Sequence, residues 1–131
     1  MMRYLSLFIS LNLPTLAFAE EKVDPRKELR KARIVRAKTD VDSIATALKS
    51  YHILANSYPS TKQGLNALFE RPMGDPAPKD WAQQLNRIPK DPWGRAYQYK
   101  REGKEPFTLW STGPDPKDPS DDIYFVPSKI D

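Results

Sequence analysis

The sequence predicts an α+β fold: one long amphipathic helix and a short second helix packed on a small three-stranded antiparallel sheet, a pilin-like order of elements. Three observations carry that prediction. Between Pro25 and Asn56 there is no internal Pro or Gly, and apolar residues recur at spacings of three and four. Between Arg71 and Pro92 stand Pro72, Pro76, Pro78 and Pro89, too many for a regular element. Beyond them, residues 96–100, 107–111 and 123–126 read as strands separated by turn residues. That order lays the sheet on the long helix within one domain.

At the start, Arg3 precedes the mostly apolar run from Tyr4 to Leu13, and Ala17-Phe18-Ala19 supplies a small-x-small site. This is the order of a secretory signal. A membrane anchor is the competing reading, but a spanning helix needs about 20 consecutive apolar residues, and Ser6, Ser10, Asn12 and Pro14 interrupt this run. The expectation is cleavage after Ala19, leaving residues 20–131 as a periplasmic or secreted domain with no transmembrane anchor. No Cys follows the site, so a lipid-modified lipoprotein is excluded.

The long helix is expected over about 25–56, with Asp24 as N-cap and Pro25 at the first helical position. Ile34, Ala37, Val41, Ile44, Ala45, Leu48, Tyr51 and Ala55 form its apolar stripe. Its first two turns hold mainly basic residues around Leu29 and should project beyond the core. Asn56 can adopt the left-handed conformation that ends a helix, and Tyr58-Pro59 forbids continuation. Ser60 and Gln63 have the spacing of a capping box, which predicts the short helix over about 61–70 with Leu65, Leu68 and Phe69 inward. Gly64 inside it suggests a close backbone approach to the long helix. The Pro-rich segment, 71–94, is read as an ordered loop held by Trp81, Leu85 and Ile88. Asp91-Pro92-Trp93-Gly94 is a turn with Pro at its second position, leading into the sheet region, 95–126. The three Trp, at 81, 93 and 110, read as core.

Composition removes several function classes. There is no Cys, so no disulfide and no thiolate chemistry. The one His, His52, sits beside the apolar stripe, where packing or exposure is the expected role. G-x-S-x-G, Walker-type loops, H-E-x-x-H and Cys/His clusters are missing, and five Gly are few for a phosphate cradle. The formal charge of +4 is unevenly placed. Arg26, Lys27, Arg30, Lys31 and Arg33, followed by Arg36 and Lys38, crowd the helix start, whereas Asp115, Asp118, Asp121 and Asp122 crowd the end. Such an axis suits head-to-tail packing between copies or attachment to an anionic surface, and equally a solvated helix face. Nucleic acid is not the expected partner, because a single-strand reader interleaves aromatic and basic residues and the stretch from Arg26 to Lys38 has no aromatic residue.

The acidic stretch from Thr112 to Asp122 offers four carboxylates, hydroxyls and carbonyls held by three prolines. Hard oxygen donors of this kind suit calcium; clustered loop Asp are also common turn formers.

Several blocks then resemble a known family. Ala37-Lys38-Thr39-Asp40, the Tyr58-Pro59-Ser60-Thr61-Lys62-Gln63-Gly64-Leu65 stretch and Pro89-Lys90-Asp91-Pro92-Trp93-Gly94-Arg95-Ala96-Tyr97-Gln98-Tyr99 are similar to the major pseudopilins of type II secretion, general secretion pathway protein G, in order from about Ala32 to Ile123. The resemblance implies a pilin-like fold, no enzymatic activity, and as partners other pseudopilins and secretion-system proteins, with self-association among them. It also implies a structural calcium ion in the loop before the last strand, held by Asp115, Asp122, Asp121 and the backbone carbonyl of Thr112. Family members carry an apolar helix of membrane-spanning length ahead of the domain. Here the corresponding stretch reads as a signal followed by a basic helix start, so Arg26, Lys27, Arg30, Lys31 and Arg33 become the expected docking surface. A second expectation is an exported binding module that uses the same fold without a secretion role.

Overall fold

The computed structural model describes residues 22–103 and 106–128, together with Asn12 and Pro14. The expected signal, 1–19, otherwise lies outside the described residues.

Helix α1 runs over Pro25–Ala55. The Asp24 side chain accepts a hydrogen bond from the Arg26 amide at 3.0 Å, and Pro25 occupies the first turn, where its missing N–H costs nothing. At the other end Asn56 has φ 65° and donates its N–H to the His52 carbonyl at 2.9 Å. The buried face comprises Ala37, Val41, Ile44, Ala45, Ala47, Leu48, Tyr51 and Ala55. Among the described residues no side chain before Ala37 is buried, so residues 25–36, about 18 Å of helix at about 1.5 Å per residue, lie beyond the core.

The expected second helix is only partly realised. The capping box is present: Ser60 Oγ accepts from the Gln63 amide at 3.0 Å, and Gln63 Oε1 accepts from the Ser60 amide at 2.9 Å. It closes a single turn. Gly64 then takes φ 63° and ψ −166°, leaving the helical region, and the chain resumes as a short 3₁₀ helix, Leu65–Leu68. A Cβ on Gly64 would meet Thr61 O at an ordinary 3.7 Å. Its backbone conformation therefore demands glycine, rather than a close approach to α1.

Trp81, Leu85 and Ile88 of the long loop pack against the core as expected. Trp81 Nε1 donates to the Ala67 carbonyl at 2.8 Å, and the amides of Gln84 and Leu85 both reach the Leu68 carbonyl. These bonds attach a segment without regular structure to the 3₁₀ helix beneath it.

The sheet is an antiparallel meander of β1 (Gln98–Lys100), β2 (Thr108–Ser111) and β3 (Ile123–Tyr124), in that spatial order. Tyr99 pairs with Leu109, and Trp110 with Tyr124. Each strand is shorter than its sequence pattern. Ahead of β1, Ala96 pairs instead with Lys90 across the Asp91 turn, and β3 stops short of Val126, next to Pro127, which has no amide to donate. Leu109 is buried among the α1 residues, while Trp110, its neighbour on the opposite face, is half-buried and stacks on Tyr124 with ring centroids 5.8 Å apart. Trp93 is also half-buried and outside the central cluster, so of the three Trp only Trp81 packs on the core.

Candidate functional site

The turn after the long loop is the hinge point of the candidate site. Asp91, 3% exposed, uses both carboxylate oxygens: Oδ1 accepts from the amides of Trp93 and Arg95 at 3.0 and 2.8 Å, and Oδ2 accepts from Ser111 Oγ at 2.8 Å. Ser111, fully buried at the end of β2, accepts in turn from the Gly113 amide at 3.1 Å, and Arg95 Nη1 reaches the Gly113 carbonyl at 2.7 Å. A buried polar network thus fixes the first residues of the acidic loop to the Asp91 turn. Asp91, Ser111 and Arg95 have positional roles that the sequence reading missed; the visible signal was an Asp opening a Pro-Trp-Gly turn, which caps its own backbone.

Beyond Gly113 the loop closes on itself. Gly113 has φ 69°, and a Cβ there would overlap the backbone carbonyl of Asp121. Asp115 Oδ1 accepts from the Lys117 amide at 3.0 Å, and Asp118 Oδ1 accepts from Ser120 N and Oγ at 3.0 and 2.6 Å. The Ser120 bonds hold the Asp118 carboxyl below its ordinary pKa. Asp122 Oδ2 accepts from the Tyr124 hydroxyl at 3.3 Å. Asp115 is exposed, and Asp121 and Asp122 are half-buried. These carboxylates are spread along the loop: among the described residues no three His, Cys, Asp or Glu side chains gather as a metal cluster. Thr112 contributes a buried Oγ1 that has no hydrogen-bond partner.

The five basic residues of the expected docking surface are all exposed, but the structure divides them. Arg26, Arg30 and Arg33 line a groove of about 400 Å³ together with Leu29, Trp93 and Pro114. Lys27 and Lys31 do not line it, and Lys31 faces Glu28 at 3.4 Å. Pro114 opens the acidic loop, so the basic start and the acidic end of the sequence are neighbours in space. The expected axis with opposite poles is corrected accordingly: the long helix and the loop 112–122 meet at one end of the domain.

Elsewhere the polar chemistry is structural. Tyr97 donates its hydroxyl to Asp40 Oδ2 at 2.6 Å, and burial followed by that bond raises its phenol. Tyr99 donates to the Pro59 carbonyl at 2.6 Å and is raised chiefly by burial. His52 is exposed and lies against the Tyr58 ring, with centroids 4.4 Å apart.

The family described as type II secretion system protein G matches residues 26–124. The type II secretion system core protein G of Pseudomonas aeruginosa is 46% identical over 94 residues, covering 70% of this chain and 66% of that protein. Its counterpart in Vibrio cholerae is 35% identical over 115 residues, covering 83% and 72%. The chain thus spans just under two thirds of the Pseudomonas relative's length. Among solved structures, the major pseudopilin from the type 2 secretion system of enterohaemorrhagic Escherichia coli superposes with a TM-score of 0.66 at 33% identity, covering 78% of this chain and 95% of that one.

Proposed function

Because this chain belongs to the type II secretion system protein G family, we propose that it is a non-enzymatic pseudopilin-like subunit acting in, or beside, a type II secretion apparatus. The observation that carries this reading is the extent of the family match, residues 26–124, which takes in α1, the Asp91 turn, the sheet and the acidic loop together. Its chemistry is contact rather than catalysis, with secretion-system proteins and other pseudopilins as partners. Affinity capture from the periplasm of the producing bacterium tests this: secretion-system components should be recovered with the tagged chain, and their absence after mild cross-linking overturns the proposal.

Export by cleavage after Ala19 is part of the same reading, supported by the order Arg3, apolar run and Ala17-Phe18-Ala19. Among the described residues no helix is long and apolar enough to cross a membrane. Mass spectrometry of the purified protein should give an N-terminus at Glu20; retention of residues 1–19 contradicts it.

Calcium in the acidic loop is the third part. Asp115, Asp121 and Asp122 with the Thr112 carbonyl would hold it, and the ion would neutralise and order the loop. The donor chemistry fits, since every candidate is a hard oxygen ligand, and the partnerless Thr112 Oγ1 marks a polar group in the loop with capacity to spare. Adding calcium should raise the melting temperature, and Asp122→Ala should abolish that gain. Identical melting in calcium and in chelator removes the ion from the account.

One observation favours a second reading, an exported module for anionic surfaces: Arg26, Arg30 and Arg33 share one exposed groove. Binding to anionic vesicles that weakens steeply with salt would support it.

A further inference from the structure

The groove at the start of α1 is lined by apolar and cationic side chains together. Leu29, 53% exposed, lies with Trp93 and Pro114, while Arg26, Arg30 and Arg33 follow one another at i, i+4 and i+7 on a single helix face. Among the described residues no carboxylate comes within 4.0 Å of these three guanidinium groups; the ion pairs are Lys31 with Glu28, Arg36 with Asp40 and Lys100 with Glu102.

The complementary charge is next door. Asp115 and Asp118 are exposed, and each commits Oδ1 to a local turn while Oδ2 has no partner among the described residues. The loop cannot readily fold back over the groove of its own chain, because Gly113 is packed on the Asp121 backbone and Pro114, Pro116 and Pro119 stiffen the path between. Two complementary patches that adjoin without closing on each other are satisfied together by a two-fold axis between them.

We infer that two copies of this chain pair reciprocally, the acidic loop of each lying against the Arg26, Arg30 and Arg33 groove of the other. A head-to-tail row would use one groove and one loop per copy and leave the terminal ones open, whereas the two-fold pair uses all four. The contact is small and charge-rich, so the dimer should be weak and strongly salt-dependent. It does not rest on a role in secretion and can stand or fall separately.

The proposed calcium ion and this contact compete for Asp115, so sedimentation velocity of the purified chain in chelator, with the carboxylates free of metal, tests it. In about 10 mM salt, where the Debye length is about 30 Å, concentrated protein should sediment as a dimer, and in about 1 M salt, where it is about 3 Å, as a monomer. Arg30→Glu with Arg33→Glu, and separately Asp115→Lys with Asp118→Lys, should each be monomeric; a single Arg26→Glu should weaken pairing about tenfold. All these side chains are exposed, so each variant should keep the circular dichroism spectrum of the folded wild type. Mixing the two double variants should restore a 1:1 dimer, since Glu then faces Lys in one contact and Arg faces Asp in the other. A monomeric wild type, a dimer indifferent to either reversal, or a mixture that stays monomeric overturns the proposal. Species that grow past the dimer with concentration overturn the two-fold arrangement.

Discussion

At Asp91 a single buried carboxylate accepts two backbone amides and a serine hydroxyl. Truncating it leaves the buried Ser111 hydroxyl and two part-buried amides without their acceptor, and the cost of unmade buried hydrogen bonds accumulates faster than the value of each bond suggests. Asp91→Ala should therefore lower stability by about 3 kcal/mol, seen as a fall in the urea midpoint; Asp91→Asn, which keeps an acceptor, should cost less. Tyr97 makes a second separable contribution. Its phenol is raised in the folded state by burial and by Asp40, so the neutral form is the one that folding favours. The associated stability is fully present below the unfolded tyrosine value of about 10 and is lost as pH rises above it. Tyr97→Phe should cost about 1 kcal/mol at neutral pH through the lost bond to Asp40, and its alkaline unfolding should begin at higher pH than that of the wild type. Equal alkaline midpoints would show that Tyr97 is not the group responsible. Neither residue advertised its role in the sequence: Tyr97 read as one position in an alternating strand, and Asp91 as the first residue of a turn.

Elements were legible to the degree that local chemistry decides them. Asp24, Pro25 and Asn56 delimited α1 to within a residue because caps act on their own neighbours. The Ser60 and Gln63 box was also read correctly, yet a box specifies only a first turn, and Gly64 ended it. Strand ends shifted because pairing depends on a partner elsewhere in the chain, as Lys90 shows by taking Ala96. The misplaced Trp have the same origin: Trp110 follows from the alternation of β2 once the buried face of that strand is known to carry Leu109 and Ser111. The start of α1 carries an element-scale prediction. Residues 25–36 have no buried side chain, so their amides should exchange with solvent hydrogen far faster than those of 41–51, and Asp24→Ala should speed exchange in the first turn while leaving global melting within about 1 kcal/mol of wild type. Uniform protection along the whole helix would show that another surface already covers its start.

For the whole molecule, the sequence delivered the inventory but not the adjacency. The α+β class, the acidic loop and the basic helix start were each readable, as was the family resemblance carried by the Tyr58 to Leu65 and Pro89 to Tyr99 blocks. That Pro114 and Trp93 stand against Arg26, Arg30 and Arg33 was not, because residues 60 or more positions apart in the chain become neighbours only through the packing of α1 along the sheet. The same limit applies to the proposed calcium loop: residue types suggested oxygen donors, while the spread of these carboxylates along the loop depends on turn hydrogen bonds that Asp115 and Asp118 make locally.

The unburied first third of α1 also has a mechanical meaning. It is continuous with the segment that carries Ile44, Leu48 and Tyr51 into the core, with no Pro, Gly or break between. A pull applied at the first turn therefore travels along the helix axis and loads those side chains together in shear, instead of peeling the short strands apart one pair at a time. The helix start is thus a lever arm joined to the layer that holds Tyr51, Ile44 and Leu48, the largest fully buried side chains of the domain.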